Sequence, residues 1–182
     1  MITIFFESHA TTEDNEAKLA AGWYDVALSP LGELQARQLG ERYNDQSFDA
    51  IFCSDLQRSY ETAQLAFGNT YPIVQDKRLR ECNYGDMNRM PKAEVEAHRE
   101  KALTTPFPNG ESYTDTMARM RSFLQDLAAD YDNKTVMIIG HRATQYGLEH
   151  WINGLSVKDA IFAPWQWQPG WKYELTPKML QK

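Results

Sequence analysis

The sequence predicts an α/β fold, a sandwich built on a mainly parallel sheet. Short apolar runs at 2–6, 50–53 and 135–139 have the length and composition of buried strands. Stretches with helical spacing of apolar residues lie between these runs, and such alternation is typical of α/β proteins. The 182 residues contain no repeat, low-complexity segment or internal boundary, so one domain spanning 1–182 is expected.

Composition narrows the classes of function. Hydrophobic residues make up 42% of the chain and charged residues 24%, enough apolar material for a sizeable core. The net charge of −6 argues against nonspecific binding to nucleic acid or to an anionic membrane, because both require a basic face. A small anionic ligand would need a local basic pocket. No apolar run reaches transmembrane length and residues 1–20 lack a signal-peptide pattern, so a cytoplasmic protein is expected.

The first half of the chain is predicted to alternate strands and helices. The strand at 2–6 is followed by a long polar loop over 7–29, a length that is often functional. Ser29 and Pro30 are typical of a helix start and predict a helix over about 30–44. Next come a strand at 50–53, a helix that Ser54 and Asp55 can cap, and a strand at 72–74.

The second half is predicted to end in two further strands. Ser112 with Asp115 resembles a capping box and begins a helix that continues to about 130. The other expected elements are an irregular segment at 76–90, weak helix at 91–103, a strand at 135–139, a helix at 143–153 and a last strand at 171–175. Tryptophans of the tail are expected to pack on the core and the last strand, although they could instead form an apolar wall of a substrate pocket: Trp165, Trp167 and Trp171.

Two histidines share one context. His9 follows the first strand and His141 follows the strand at 135–139. Because ligands bind beyond the carboxyl ends of parallel strands, both imidazoles are expected at the same functional edge of the sheet. His98 and His150 lie within helical stretches and are expected to be surface residues or to be bonded within the core.

An arginine is predicted at the same edge. Arg58 falls in the first turn of the helix after the strand at 50–53, where its guanidinium can bind a phosphate. The alternative is a surface ion pair with Glu61 or Asp55.

A carboxyl group follows the third strand. Glu81 lies in the irregular segment, and a role as general acid requires that it be partly buried. The alternative is a solvated glutamate paired with Arg78 or Arg80.

Two imidazoles, one guanidinium and one carboxyl group suit phosphoryl transfer without a metal. An imidazole can act as nucleophile, cations can hold the nonbridging oxygens, and an acid can protonate the leaving oxygen. No metal is expected, because the sequence has no cysteines, carboxylates or histidines at the spacing of metal ligands. No cofactor is expected either, because the glycine-rich nucleotide-binding loops are absent. Cys53 and Cys82 are expected to be reduced thiols in or near the core.

A series of motifs follows one order along nearly the whole chain. They are residues 8–10, Asn15, Gly22, 28–32, Gln35 and Ala36, 54–63, 79–81, 84–86, 110–112 and 138–141. With these motifs the chain resembles the histidine phosphatase superfamily, in the phosphoglycerate-mutase-like branch, and the segment at 54–63 and the order of the motifs are the most specific features. The resemblance implies a three-layer α/β/α sandwich.

The resemblance also implies roles for the residues. His9 would be the nucleophile that becomes phosphohistidine, Arg58 and His141 would hold the phosphoryl oxygens, and Glu81 would act as general acid and base. Asn15 and the loop around Gly22 would line the substrate side.

One motif departs from the family pattern. The residues around the nucleophile are Arg-His-Gly in the family and Ser8-His9-Ala10 here. Loss of the arginine could cost about 2–4 kcal/mol of transition-state stabilisation, about 10²–10³ in rate. Either Arg142 restores the charge, or Arg142 faces solvent and Ser8 bonds the anion weakly. Ala10 requires a backbone that avoids positive φ or tolerates strain.

The resulting prediction is a phosphomonoesterase that acts on a small phosphorylated metabolite. A phosphatase is favoured over a mutase because the segment between Glu81 and Ser112 is short, and longer insertions there accompany mutase activity in the family. The alternative from another class is a catalytically weakened member that binds a phosphorylated ligand or partner.

Overall fold

The computed structural model describes residues 1–181. Its strands are β1 (Ile2–Ser8), β2 (Leu19–Ala20), β3 (Ala50–Cys53), β4 (Ile73–Gln75), β5 (Met90–Pro91), β6 (Thr135–Gly140) and β7 (Trp171–Leu175). Its helices are α1 (Glu13–Glu16), α2 (Pro30–Arg42), α3 (Gln57–Phe67), α4 (Lys92–Ala97), α5 (Arg99–Ala102), α6 (Tyr113–Asp130), α7 (Arg142–Trp151) and α8 (Val157–Phe162). Turns of 3₁₀ helix occur at Lys77–Leu79, Gly85–Met87 and Pro177–Leu180.

The central sheet has five strands in the order β4-β3-β6-β1-β7. Strands β4, β3, β6 and β1 run parallel, and β7 pairs antiparallel with β1 at the edge. The predicted α/β fold with a mainly parallel sheet is confirmed.

Helices cover both faces of this sheet. On one face, Ile4 and Phe6 share a buried cluster with Met120 and Leu124 of α6. On the other face, Met137 and its neighbours pack against α2 and α3, burying apolar residues such as Leu39, Ala63 and Phe67. Side chains alternate between the faces along each strand, and this alternation gives the three layers.

Two of the predicted helix starts are confirmed, and one predicted cap is wrong. The Ser29 hydroxyl accepts a hydrogen bond from Gly32 N–H, and Ser112 and Asp115 form the predicted capping box. In contrast, α3 begins at Gln57 after Leu56, which makes no side-chain cap. Ser54 and Asp55 cannot cap α3 because their side chains bond elsewhere, as described below.

Smaller elements differ from the sequence prediction at their ends. The predicted loop at 7–29 contains α1 and the short strand β2, which pairs with β5. The weak helix at 91–103 divides into α4 and α5.

Both cysteines are free and buried. Among residues 1–181, no helix combines the length and the apolar character needed to cross a membrane.

Candidate active site

The register of two parallel strands brings the two predicted histidines together. Ser8 at the end of β1 pairs with Gly140 at the end of β6, so the next residue on each strand lies at the same level. The ring centroids of His9 and His141 are 5.0 Å apart. Residues 132 positions apart in sequence therefore share one end of the sheet, as the sequence predicts.

The backbone sets the tautomer of His9. Its Nδ1 lies 2.8 Å from the Ala10 carbonyl oxygen, which can only accept, so Nδ1 carries the proton and Nε2 keeps its lone pair. Ala10 N–H donates to the hydroxyl of Thr62, which anchors this turn on α3. Ala10 is not among the residues with positive φ, so alanine fits here without backbone strain.

His141 is fixed by a hydroxyl that sequence reasoning assigned to a helix cap. Ser54 Oγ lies 2.6 Å from His141 Nε2 and accepts a hydrogen bond from Leu56 N–H. The hydroxyl that accepts from Leu56 N–H still has a proton to donate to Nε2, and in that arrangement the proton of His141 lies on Nδ1. That Nδ1 is buried and has no hydrogen-bond partner among the described residues. It is a donor available to a ligand oxygen.

Arg58 is a buried cation held by two carbonyl groups. Its side chain donates to the carbonyls of Gly22 and Tyr24 at 2.7 and 3.1 Å, and the residue is 2% exposed. Gly22 has φ +57°, and a Cβ there would lie 2.0 Å from Asn88 Oδ1. The predicted alternative, a surface ion pair with Glu61 or Asp55, is wrong. Asp55 pairs with Arg80 instead. The Glu61 carboxylate accepts hydrogen bonds from Leu28 N–H and the Gln57 side chain.

No carboxylate forms an ion pair with Arg58 in the part of the chain that the structure describes. Acidic side chains act on this charge only from a distance, namely Glu81, Asp25 and Asp14. A buried charge without a hydrogen-bonded counter-ion is costly, so the position favours an incoming anion. Burial, together with the Arg58 charge, lowers the pKa of His9 to about 3. The same two causes lower the pKa of His141 well below its ordinary value. Both imidazoles are therefore neutral near pH 7.

Glu81 is positioned at the start of α7. Its Oε1 accepts hydrogen bonds from Cys82 N–H at 2.8 Å and from Ala143 N–H, in the first turn of α7, at 3.2 Å. The residue is 8% exposed, and Arg78 and Arg80 pair with aspartates instead, so the solvated alternative is wrong. Among residues 1–181, Glu81 Oε2 has no hydrogen-bond partner.

The remaining predicted residues lie around the same cavity. Ser8 Oγ is buried without a partner among the described residues, and Asn15 Oδ1 accepts from Thr12 N–H. Arg142 is half-buried, donates to Gln145 and lies over the rings of Tyr146 and Trp165. All eight predicted site residues line one cavity of about 880 Å³: Ser8, His9, Asn15, Gly22, Arg58, Glu81, His141 and Arg142.

The tail corrects one expectation. Trp171 is half-buried and packs on the core as expected. Trp165 is 44% exposed and lines the cavity, but its ring also stacks on Trp171 of β7, so its packing on the last strand is as expected. Trp167 is 57% exposed and lines the cavity, so the packing expected for Trp167 is wrong. Sequence reasoning assigned no site role to two positioning residues, Ser54, whose context resembles a cap, and Thr62. The signal that could have found them is their place in the matched segment at 54–63.

The other two histidines take no part in the cavity. His98 is exposed and its Nδ1 bonds the Glu94 carbonyl, and His150 Nδ1 bonds the Leu155 carbonyl. Both fit the expectation of surface or locally bonded residues.

The neutral imidazoles make the fold sensitive to acid. An unfolded histidine takes up a proton near pH 6.5, whereas folded His9 does so at about 3. The unfolded state therefore binds more protons in this range, and the free energy of unfolding is expected to fall as the pH decreases from 6.5 towards 3.

Urea unfolding at pH 7 and at about pH 4.5 measures this effect. In His9→Gln the loss of stability on acidification is expected to be about 2 kcal/mol smaller than in the wild type. His98→Gln is the matched control on the surface. An equal loss in His9→Gln and the wild type would contradict the assigned pKa.

Comparison with known proteins gives a consistent result. A family profile described as histidine phosphatase superfamily (branch 1) matches residues 4–163. The uncharacterized phosphatase PhoE of Bacillus subtilis is 32% identical, over 85% of this chain and 79% of that protein. A 2,3-bisphosphoglycerate-dependent phosphoglycerate mutase of Cytophaga hutchinsonii is also 32% identical, over 83% of this chain and 77% of that protein. The solved structure of Bacillus stearothermophilus YhfR superposes with a TM-score of 0.81 at 25% identity, over 93% of this chain and 88% of that chain.

Proposed function

This chain belongs to the histidine phosphatase superfamily, branch 1, and from that premise we propose that it hydrolyses small phosphomonoesters through a phosphohistidine on His9. The substrate class is a small phosphorylated metabolite, handled in the cytoplasm without a metal or cofactor. Relatives with names of both phosphatases and mutases support phosphoryl transfer as the reaction class.

The observation that carries the proposal is the charge of Arg58. A buried guanidinium that has no carboxylate ion pair among residues 1–181 lies beside a neutral imidazole with a free lone pair. The buried Ser8 Oγ and His141 Nδ1, which have no partner within the described residues, add to the preference for an oxyanion. This combination suits a phosphoryl group better than any uncharged ligand.

In the first half-reaction, His9 Nε2 attacks phosphorus and the bond to the leaving oxygen breaks. Arg58 and His141 Nδ1–H donate to the nonbridging oxygens, which carry the developing charge. Glu81 gives its proton to the leaving oxygen, so the product alcohol departs neutral.

In the second half-reaction, water attacks the phosphohistidine and the P–N bond breaks. Glu81, now a carboxylate, takes a proton from the water, and the electron pair of the P–N bond returns to His9 Nε2. Inorganic phosphate leaves, and Glu81 is again protonated. Atoms, protons and charge balance over the cycle.

A trapping experiment tests the proposal. The wild-type protein is incubated with an aryl phosphate and quenched in base, and the phosphoprotein is digested. We expect an alkali-stable, acid-labile phosphate on the peptide that contains His9. Release of inorganic phosphate without such a species, or a label on another residue, would rule out the mechanism.

We further propose that Arg142 replaces the charge that Ser8 lacks. Its guanidinium is 4.7 Å from the Trp165 ring centroid and 5.0 Å from that of Tyr146, so stacking on two rings limits its motion. Arg142 forms no ion pair among residues 1–181. A half-buried cation that is restrained and not neutralised at the cavity is suited to a ligand anion.

Arg142→Ala is expected to lower kcat/KM by about 10² and to weaken inhibition by inorganic phosphate, because one cation is lost from the anion site. Steady-state kinetics and phosphate inhibition measure both effects. Arg121→Ala, a change of an arginine away from the cavity, is the control. Near-wild-type values in Arg142→Ala would show that Arg142 does not compensate, and would favour weak bonding by Ser8.

The Ser8-His9-Ala10 motif also favours one second candidate, a weakened family member that binds a phosphorylated ligand or partner. Tight binding of phosphate with no turnover over a panel of phosphate esters would identify it. A mutase is distinguished by transfer of phosphate between substrates instead of release into solution, and the short segment between Glu81 and Ser112 favours the phosphatase.

A further inference from the structure

Exposed aromatic side chains concentrate at the mouth of the cavity. Among residues 1–181, four aromatic side chains are exposed, namely Tyr24, Phe162, Trp165 and Trp167. The last three line the cavity that contains His9 and Arg58. Large apolar surface in water is unfavourable, and its clustering beside a cavity marks a binding surface.

Trp165 joins this surface to the phosphoryl end of the cavity. Its Nε1–H donates to Gln145 Oε1 at 3.1 Å, and its ring stacks on Trp171 with centroids 6.3 Å apart. Arg142, next to His141 in sequence, lies over the same ring. The aromatic wall therefore begins where the phosphoryl group is held.

Trp167 differs from its neighbour because its ring is free. It has no ring, cation or hydrogen-bond partner within the described residues, and it is 57% exposed. A free indole face offers a stacking surface that accepts any planar π-system.

The volume of the cavity leaves room for such a group. About 880 Å³ lies within the range of pockets that hold drug-sized ligands, about 300–1,000 Å³. A phosphoryl group at His9 occupies a small part of this space, and the remainder extends along Phe162, Trp165 and Trp167.

We propose that the leaving group of the substrate carries a planar aromatic ring that stacks on Trp167, flanked by Phe162 and Trp165. This inference rests on the proposed phosphatase function. Two classes of substrate have this feature, namely simple aryl phosphates and nucleoside monophosphates. Both are phosphate esters whose leaving group carries an aromatic ring.

Steady-state kinetics with three probes tests the stacking: 1-naphthyl phosphate, adenosine 5′-monophosphate and glycerol 1-phosphate. KM is the readout, because aryl leaving groups raise kcat for chemical reasons alone. The wild type is expected to show a KM about tenfold lower for at least one aromatic probe than for glycerol 1-phosphate. Preference for the naphthyl ester or for the nucleotide distinguishes the two classes.

Trp167→Ala is expected to raise KM for the preferred aromatic probe about tenfold and to leave KM for glycerol 1-phosphate unchanged. Trp167→Phe retains most of the preference, and Leu34→Ala, an exposed apolar residue outside the cavity, leaves all three values unchanged. Equal changes for all probes in Trp167→Ala, or no change for any, would overturn the proposal.

Calorimetric binding in the His9→Ala background separates this inference from the proposed function. If His9→Ala binds the aromatic probe more tightly than glycerol 1-phosphate while the wild type hydrolyses neither, stacking is supported and the phosphatase function is refuted. Hydrolysis of all probes with no dependence on Trp167 supports the phosphatase and refutes stacking.

Discussion

Replacement of His9 by alanine is expected to lower kcat/KM by about 10³-fold or more, roughly 4 kcal/mol of transition-state stabilisation. The side chain supplies the lone pair that attacks phosphorus in the first half-reaction, and the Ala10 carbonyl holds the imidazole in the reactive tautomer. Phosphate release from one ester, measured over a range of enzyme concentrations, gives the rate. The trapped phosphoprotein is expected to be absent in His9→Ala.

The affinity of His9→Ala for inorganic phosphate provides the internal check. Arg58, His141 and Ser8 remain in place, so the dissociation constant is expected to change by only a few-fold. His98→Ala is the matched control, since that imidazole is exposed and bonded to a helix carbonyl. Turnover that survives in His9→Ala would contradict the proposed nucleophile.

Arg58→Ala is expected to reduce kcat/KM by about 10³ and to weaken phosphate binding, because it removes the buried cation of the anion site. Arg58→Lys is expected to recover little. The guanidinium donates to two carbonyls through two nitrogens, and a single ammonium cannot bind both carbonyls and the ligand in the same geometry.

The same variant has a second consequence that is independent of turnover. The Arg58 charge contributes to the depressed pKa of His9, so its removal is expected to raise that pKa. A proton NMR titration of the imidazole in wild type and Arg58→Ala measures the shift. Arg37→Ala, an exposed cation on α2, is the control. An unchanged His9 titration in Arg58→Ala would contradict the described electrostatics.

The fold and the location of the site follow from local patterns in the sequence. The apolar runs that end at His9 and His141 predict two parallel strands and one functional edge, and the register of β1 with β6 confirms this juxtaposition. For Arg58 and Glu81, local patterns leave surface ion pairs open. Their position at the edge was predicted from the strands that precede them, whereas their roles were expected from the family resemblance, because the burial of each depends on distant chain segments.

Sequence reasoning missed the contacts that form between distant segments when the chain folds. Ser54 has the local context of a helix cap, but its hydroxyl bonds His141, 87 residues away. Tryptophan is a residue type that commonly packs in cores, yet Trp165 and Trp167 line the cavity. Propensity describes a residue in its own segment, and these roles arise from the approach of a second segment.

The anchoring of Glu81 has a consequence for stereochemistry at phosphorus. Two backbone N–H groups hold Oε1, so Oε2 is the oxygen that serves both half-reactions. The departing alcohol and the incoming water must then occupy the same position, opposite His9. Each displacement inverts the configuration, and two inversions along one line restore it. On the proposed mechanism, a chiral phosphate ester therefore yields product with net retention.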